Sequence, residues 1–192
     1  TFGINIVVDT SSRHSGLFCG EFDKAWQASC SYVQKGYGLP IDYQADVVIA
    51  SCGGFPKDLN FYQSTKTLFN ASRAVKEGGT LIMLAECLEG SGSKDFFDWI
   101  KPLSKGCLDE ALRASFTIGG YIFYAACESI RRSKTLLLSS MEPELVRDMG
   151  VRSFKDMKDL LAEVDFNGKD VYVIPYGGCL LYTSPSPRDG LL

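Results

Sequence analysis

Between residues 45 and 175, short runs of aliphatic and β-branched residues alternate with longer stretches of helical period, and this alternation restricts the fold more than any other feature. Strands that alternate with helices form βαβ units, whose strands lie parallel in one sheet. The runs at 45–51, 80–86, 135–139 and 170–175 are apolar almost throughout, as in strands covered on both faces. Between them, spacing and caps predict helices at 61–76, 94–100, 108–114, 121–132, 143–149 and 153–164, the fifth with Pro143 at its first turn. The expected fold is therefore α/β: a doubly wound, mostly parallel, Rossmann-like sheet.

The chain before residue 45 reads differently. Residues 4–8 and 17–19 are apolar around a turn-rich segment, which predicts a hairpin. A helix over 21–35 follows, with Phe22, Ala25, Trp26, Ser29, Cys30 and Val33 on its apolar face and Gly36 as its stop. This hairpin and helix make a small N-terminal appendage over 1–40, ahead of an α/β domain over 41–178. Residues 179–192 are rich in Ser and Pro, lack apolar periodicity and read as a translated adapter, so a disordered, non-native tail is expected there. The opening Thr1-Phe2-Gly3 has neither an initiator Met nor a signal-peptide pattern and is read as an internal cut.

Composition narrows the function. A formal charge of -3, with no basic stripe, argues against a nucleic-acid partner. No apolar run approaches the ~20 residues that span a bilayer, so no membrane segment is expected. Seven scattered cysteines without a Cys-x-x-Cys pair suggest a reducing, cytoplasmic setting. The single histidine, His14, falls in the hairpin, so neither a metal site nor a Ser-His-Asp or Cys-His arrangement can be assembled from these residues.

Ligands of open parallel sheets bind beyond the carboxyl ends of the strands. After the strand at 45–51, Gly53 and Gly54 leave the backbone uncluttered, and Asn60 with Gln63 forms a capping box for the next helix. Tyr62, Gln63 and Lys66 then share one face of its first turns, where a phenol, an amide and an ammonium at the positive helix end suit a carboxylate. A solvated lysine and a boundary tyrosine fit the same residues. Glu86, at the end of the second strand, is a candidate acid, loop anchor or cap partner. The Gly90-x-Gly92 that follows lacks the third glycine of a dinucleotide fingerprint, because Asp95 stands there. Tyr121, at the start of a later helix, is a further candidate to line the cleft.

The block from Ala45 to Lys66, with Gly53-Gly54-Phe55-Pro56-Lys57-Asp58 and Asn60-Phe61-Tyr62-Gln63, resembles the nickel-dependent lactate racemase (LarA) family. Glu77-Gly78-Gly79, Glu142-Pro143-Glu144-Leu145 and the opening Phe2–Asp9 segment extend the similarity over most of residues 2–178. The resemblance implies an isomerase acting on a small 2-hydroxy acid. It implies a nickel pincer nucleotide (nickel pyridinium-3,5-bisthiocarboxylic acid mononucleotide) that takes up and returns the substrate α-hydride while histidines move the hydroxyl proton. It also implies that the cofactor is held mainly by an N-terminal catalytic domain absent from this chain, of which residues 1–40 would be the trailing edge. No residue here matches the tethering lysine or the catalytic histidines, so no catalytic or metal-binding role is assigned. On the same resemblance Tyr62, Gln63 and Lys66 bind substrate, and Tyr121, Glu86, Gly53 and Gly54 line the cleft. Tyr121 stands where relatives carry Trp or His.

Three readings follow: the substrate-binding portion of a 2-hydroxy acid racemase or epimerase, inactive by itself; a nucleotide-binding domain of an oxidoreductase; and a non-catalytic carboxylate-binding module. The incomplete glycine fingerprint weighs against the second.

Overall fold

The computed structural model describes residues 1–9, 11, 13–90, 92, 95–178 and 181–183. The chain divides into two compact units, one of residues 1–40 with the stretch from 179 onward, the other of residues 41–178.

In the first unit β1 (Phe2–Val8) pairs antiparallel with β2 (His14–Glu21), Ile4 opposite Cys19 and Ile6 opposite Leu17. Helix α1 (Phe22–Tyr37) follows directly, because the Glu21 carboxylate accepts the backbone N–H groups of Asp23 and Lys24 and so caps its start. The helix passes through Gly36 and ends at Gly38, whose N–H donates to the Gln34 carbonyl. Its contacts with the hairpin include the Tyr32 hydroxyl donating to the Ser15 carbonyl at 2.6 Å and a Phe18–Tyr32 ring pair at 5.4 Å. The expected apolar face is only partly buried. Ala25 and Ser29 are covered, whereas Phe22, Trp26 and Cys30 are exposed. Small residues let the helix approach the hairpin closely, and two layers of this size cannot enclose a second apolar face.

The second unit contains β4 (Ala45–Ser51), α2 (Phe61–Ala71), β5 (Val75–Leu84), α3 (Ile100–Ser104), α4 (Leu108–Ala114) and α5 (Ile118–Arg131). After these come β6 (Lys134–Leu138), α6 (Glu144–Arg147), β7 (Arg152–Phe154), α7 (Met157–Ala162) and β8 (Val171–Ile174). The sheet runs β7-β6-β5-β4-β8 and is parallel at every pairing, as the strand–helix alternation predicts.

It has one strand more than expected. Arg152–Phe154, expected within a helix, pairs with Leu136–Leu138, because the helix cap lies later: the Asp156 carboxylate accepts the N–H groups of Lys158 and Asp159. The helix predicted over 61–76 is also shorter, since Val75 already pairs with Ala45. Ile49, Ile82 and Leu136 stand in register on one face, and Leu160 of α7 packs on that face of the sheet. Ala50, Met83 and Leu137 point to the other face. Beside the sheet, α2 and α5 pack on one another around Phe61, Phe96 and Phe123, with Phe96 centred 6.2 Å from Phe61 and 5.2 Å from Phe123.

A separate two-stranded sheet joins β3 (Leu39–Ile41) to β9 (Leu181–Thr183). The boundary expected between appendage and domain near residue 40 and the tail expected from 179 therefore each contribute to a strand pair, since backbone pairing does not depend on apolar periodicity. The rest of that tail lies outside the described residues.

Candidate functional site

The strand order reverses at β4. From there the chain steps outward through β5, β6 and β7, then returns to place β8 on the other side of β4. Such a switch point leaves a crevice beyond the carboxyl ends of the two strands that flank it. Here the two loops are tied together: Gly177 N–H, after β8, donates to the Ser51 carbonyl at 2.7 Å, and the Asn70 side chain donates to the Gly177 carbonyl at 3.0 Å. A Cβ on Gly177 would lie 2.3 Å from the Thr67 methyl, so only glycine allows this approach. After β4 the chain turns through Gly53 and Gly54, both at positive φ (86° and 76°).

Asn60 caps α2 as the sequence predicts, its side-chain oxygen accepting the Gln63 N–H at 3.0 Å. With the first turn held in this way, Gln63 and Lys66 line a cleft of about 320 Å³ together with Cys52, Lys57 and Thr67. The Lys66 ammonium donates to Gln63 Oε1 at 2.8 Å. That contact orients the amide so that its N–H groups remain for another acceptor. Among the described residues the cleft lining contains two ammoniums and no carboxylate. Lys57 was not singled out by the sequence reading. The available signal was a lysine between the glycine turn and the helix cap, but only the folded loop brings it to the wall that carries Lys66.

The other candidates lie elsewhere. Tyr62 does not line this cleft; its ring stands edge-on to Phe96, with centroids 5.7 Å apart. Tyr121 is half exposed on the first turn of α5, 6.3 Å from the Phe116 ring, and lines neither of the two clefts over the strand ends. Gly53 abuts Tyr176. Gly54 and Glu86 line a second, larger cleft of about 610 Å³ over the ends of β4, β5 and β6. There the Glu86 carboxylate accepts the Ser140 hydroxyl, Glu86 N–H donates to Asp58 Oδ2 at 3.3 Å, and Lys155 is paired with Glu142 at 2.9 Å. Two carboxylates and a neutralised lysine repel an acid substrate, whereas two unpaired ammoniums attract one. The two clefts thus differ in charge, the larger carrying two carboxylates and the smaller two ammoniums.

Nearby thiols are not reactive groups. Burial pushes the Cys52 thiol upward and that of Cys87 to about 11, so both stay protonated near neutral pH. Among the described residues no three His, Cys, Asp or Glu side chains gather as a metal site would require, and His14 belongs to the exposed hairpin of the other unit. No described helix is long and apolar enough to cross a membrane.

Fold and site together define an open, parallel-sheet α/β domain with a lysine-lined cleft at its switch point. The lactate racemase C-terminal domain family model matches residues 41–181, and the chain belongs to that family. The lactate racemase of Thermoanaerobacterium thermosaccharolyticum is 31% identical over 190 residues, covering 92% of this chain and 43% of the relative. That of Lactiplantibacillus plantarum is 34% identical over 113 residues, 58% of this chain and 26% of the relative. The chain thus spans less than half the length of these relatives. Among solved structures, the Thermoanaerobacterium lactate racemase apoprotein superposes with a TM-score of 0.80 at 28% identity, covering 96% of this chain and 46% of that one. A Thermotoga maritima protein at 14% identity and a TM-score of 0.61, covering 95% of this chain and 49% of that one, shares the fold.

Proposed function

We propose that this chain is the substrate-binding portion of a 2-hydroxy acid racemase or epimerase of the lactate type, which closes over a nickel pincer nucleotide held mainly by the rest of the protein. The observation that carries the reading is the Lys66–Gln63 pair at the switch point, in a cleft that has no carboxylate among its described residues. A substrate carboxylate there accepts from the Lys66 ammonium, while the Gln63 amide N–H groups reach the second carboxylate oxygen or the hydroxyl. Lys66 is exposed in this chain, where the amino end of α2 adds about 0.3–1 kcal/mol; a charge-assisted contact contributes about 1.5–3 kcal/mol once the substrate and the rest of the protein cover it.

This division of labour suits racemisation. The carboxylate is common to both enantiomers, so anchoring it leaves C2 able to change configuration while binding of the two hands stays similar. The described residues build no nickel ligand set, so the chemistry of the metal would belong to the rest of the protein. Its part is to bind and orient the acid.

The test is to supply single enantiomers of lactate and other 2-hydroxy acids to the full-length protein and follow the composition by chiral chromatography. Approach to equal amounts of both hands is expected for at least one acid. Retained configuration throughout, together with unmoved Gln63 and Lys66 signals when the chain is titrated with lactate by NMR, would overturn the reading.

A further inference from the structure

We infer that Lys57 is a second recognition group of this pocket and selects 2-hydroxy acids that carry another anionic group, a carboxylate or a phosphate, beyond the one held by Lys66; this rests on the proposed role of the cleft. The two lysines reach the same cavity from different elements, Lys66 from the second turn of α2 and Lys57 from the loop after β4. Among the described residues neither forms an ion pair. Elsewhere in the unit Lys76 pairs with Asp46 at 2.9 Å and Lys155 with Glu142 at 2.9 Å. Lys101, Lys105 and Lys158 are likewise without an ion pair among the described residues, so what sets Lys57 and Lys66 apart is that they share one cavity.

Lys57 is held in place without an acid. Its N–H donates to the Gly54 carbonyl at 2.9 Å, which closes the turn that carries it. Its ammonium lies 5.9 Å from the centre of the Tyr176 ring, within reach of a cation–π attraction. Tyr176 can occupy that place because residue 53 is glycine: a Cβ there would lie 3.1 Å from the ring and 3.8 Å from the Lys57 side chain. The glycine turn, the loop after β8 and Lys57 thus form one arrangement that keeps an ammonium at the pocket.

A simple 2-hydroxy acid uses up its groups on Lys66 and Gln63, with carboxylate and hydroxyl against ammonium and amide. It brings one negative charge to a cleft holding two positive ones. A second anionic group supplies the missing charge, and each charge-assisted contact of this kind raises affinity about tenfold or more. The cavity, at about 320 Å³, falls at the small end of the ~300–1,000 Å³ typical of ligand pockets and suits a compact diacid or phospho acid rather than a nucleotide.

The chain is titrated by NMR with lactate, malate and 3-phosphoglycerate, following Lys57, Gln63, Lys66 and Tyr176, and the titration is repeated on Lys57→Gln, Lys57→Arg and, as a surface control, Lys105→Gln. Malate or 3-phosphoglycerate is expected to bind about tenfold more tightly than lactate, and which of them does so identifies the second group as carboxylate or phosphate. Lys57→Gln should bring the ratio close to one, while Lys57→Arg and Lys105→Gln should retain it. Equal affinities for all three acids, or a preference that survives Lys57→Gln, would overturn the inference while leaving the Lys66–Gln63 reading in place. No response from any acid at Gln63 and Lys66 would overturn both.

Discussion

The two units treat their apolar side chains in opposite ways. In the β1–β2 hairpin, Phe2, Ile4, Ile6 and Val8 lie on one face and all are more than half exposed, while Gly3 on the opposite face sits against Phe22. In the parallel sheet, rows such as Ala50–Met83–Leu137 are essentially inaccessible. Both segments are rich in β-branched and aliphatic residues, so composition does not separate them. What differs is the number of layers: the hairpin has a helix on one face only, whereas the sheet has α7 on one side and further helices packed beside it. An apolar strand is a core strand only when something covers it.

The largest expected effect tests that contrast directly. Phe123→Ala, in a site fully shut from water, should destabilise the α/β unit by about 3–5 kcal/mol, while Phe2→Ala should change the first unit by no more than about 0.5 kcal/mol. Each unit contains its own tryptophan, Trp26 or Trp99, so urea unfolding followed by fluorescence, with the other tryptophan replaced by Phe, reads them separately. Comparable losses would mean that the hairpin face is buried in solution.

Next in size is a contrast between two helix lysines. Lys66→Ala in the full-length protein should lower kcat/KM about ten- to a hundredfold, with a stability change below about 0.5 kcal/mol. Lys24→Ala, on α1, should leave both unchanged. Kinetics for Lys66→Ala within about twofold of the parent would return it to the status of a solvated lysine.

Two helical glycines should differ in sign. A Cβ on Gly120 of α5 would meet the Trp99 ring at 2.3 Å, so Gly120→Ala should cost about 1–3 kcal/mol. Nothing lies within 4 Å of a Cβ on Gly36 of α1, and Gly36→Ala should stabilise by about 0.5–1 kcal/mol through helix propensity. Thermal unfolding would show both.

The smallest contrast compares caps. Asn60 is buried and accepts the Gln63 N–H, so Asn60→Ala should cost about 1–2 kcal/mol and loosen the face of α2 that bears Gln63 and Lys66. Glu21 caps α1 at the surface, and Glu21→Ala should cost about 0.5 kcal/mol. Amide hydrogen exchange in the first turn of each helix measures the difference.

The sequence by itself determined the alternation of strands and helices in the α/β unit, the parallel sheet it builds, the Asn60 cap and the placing of Gln63 and Lys66 one turn apart. These follow from periodicity and from hydrogen bonds between near neighbours, which local residue types dictate. It did not reveal β7, because Arg152–Phe154 has no strand signature until Leu136–Leu138 offers a pairing edge and Asp156 begins the helix later. Nor did it separate the candidates. Only the tertiary structure turned Tyr62 toward Phe96, placed Glu86 and Gly54 in an acidic cleft, and brought Lys57 against Tyr176 beside Lys66. Those placements depend on β8 returning beside β4 from more than a hundred residues away, as the Asn70–Gly177 hydrogen bond spanning 107 positions illustrates, and no local pattern encodes that pairing.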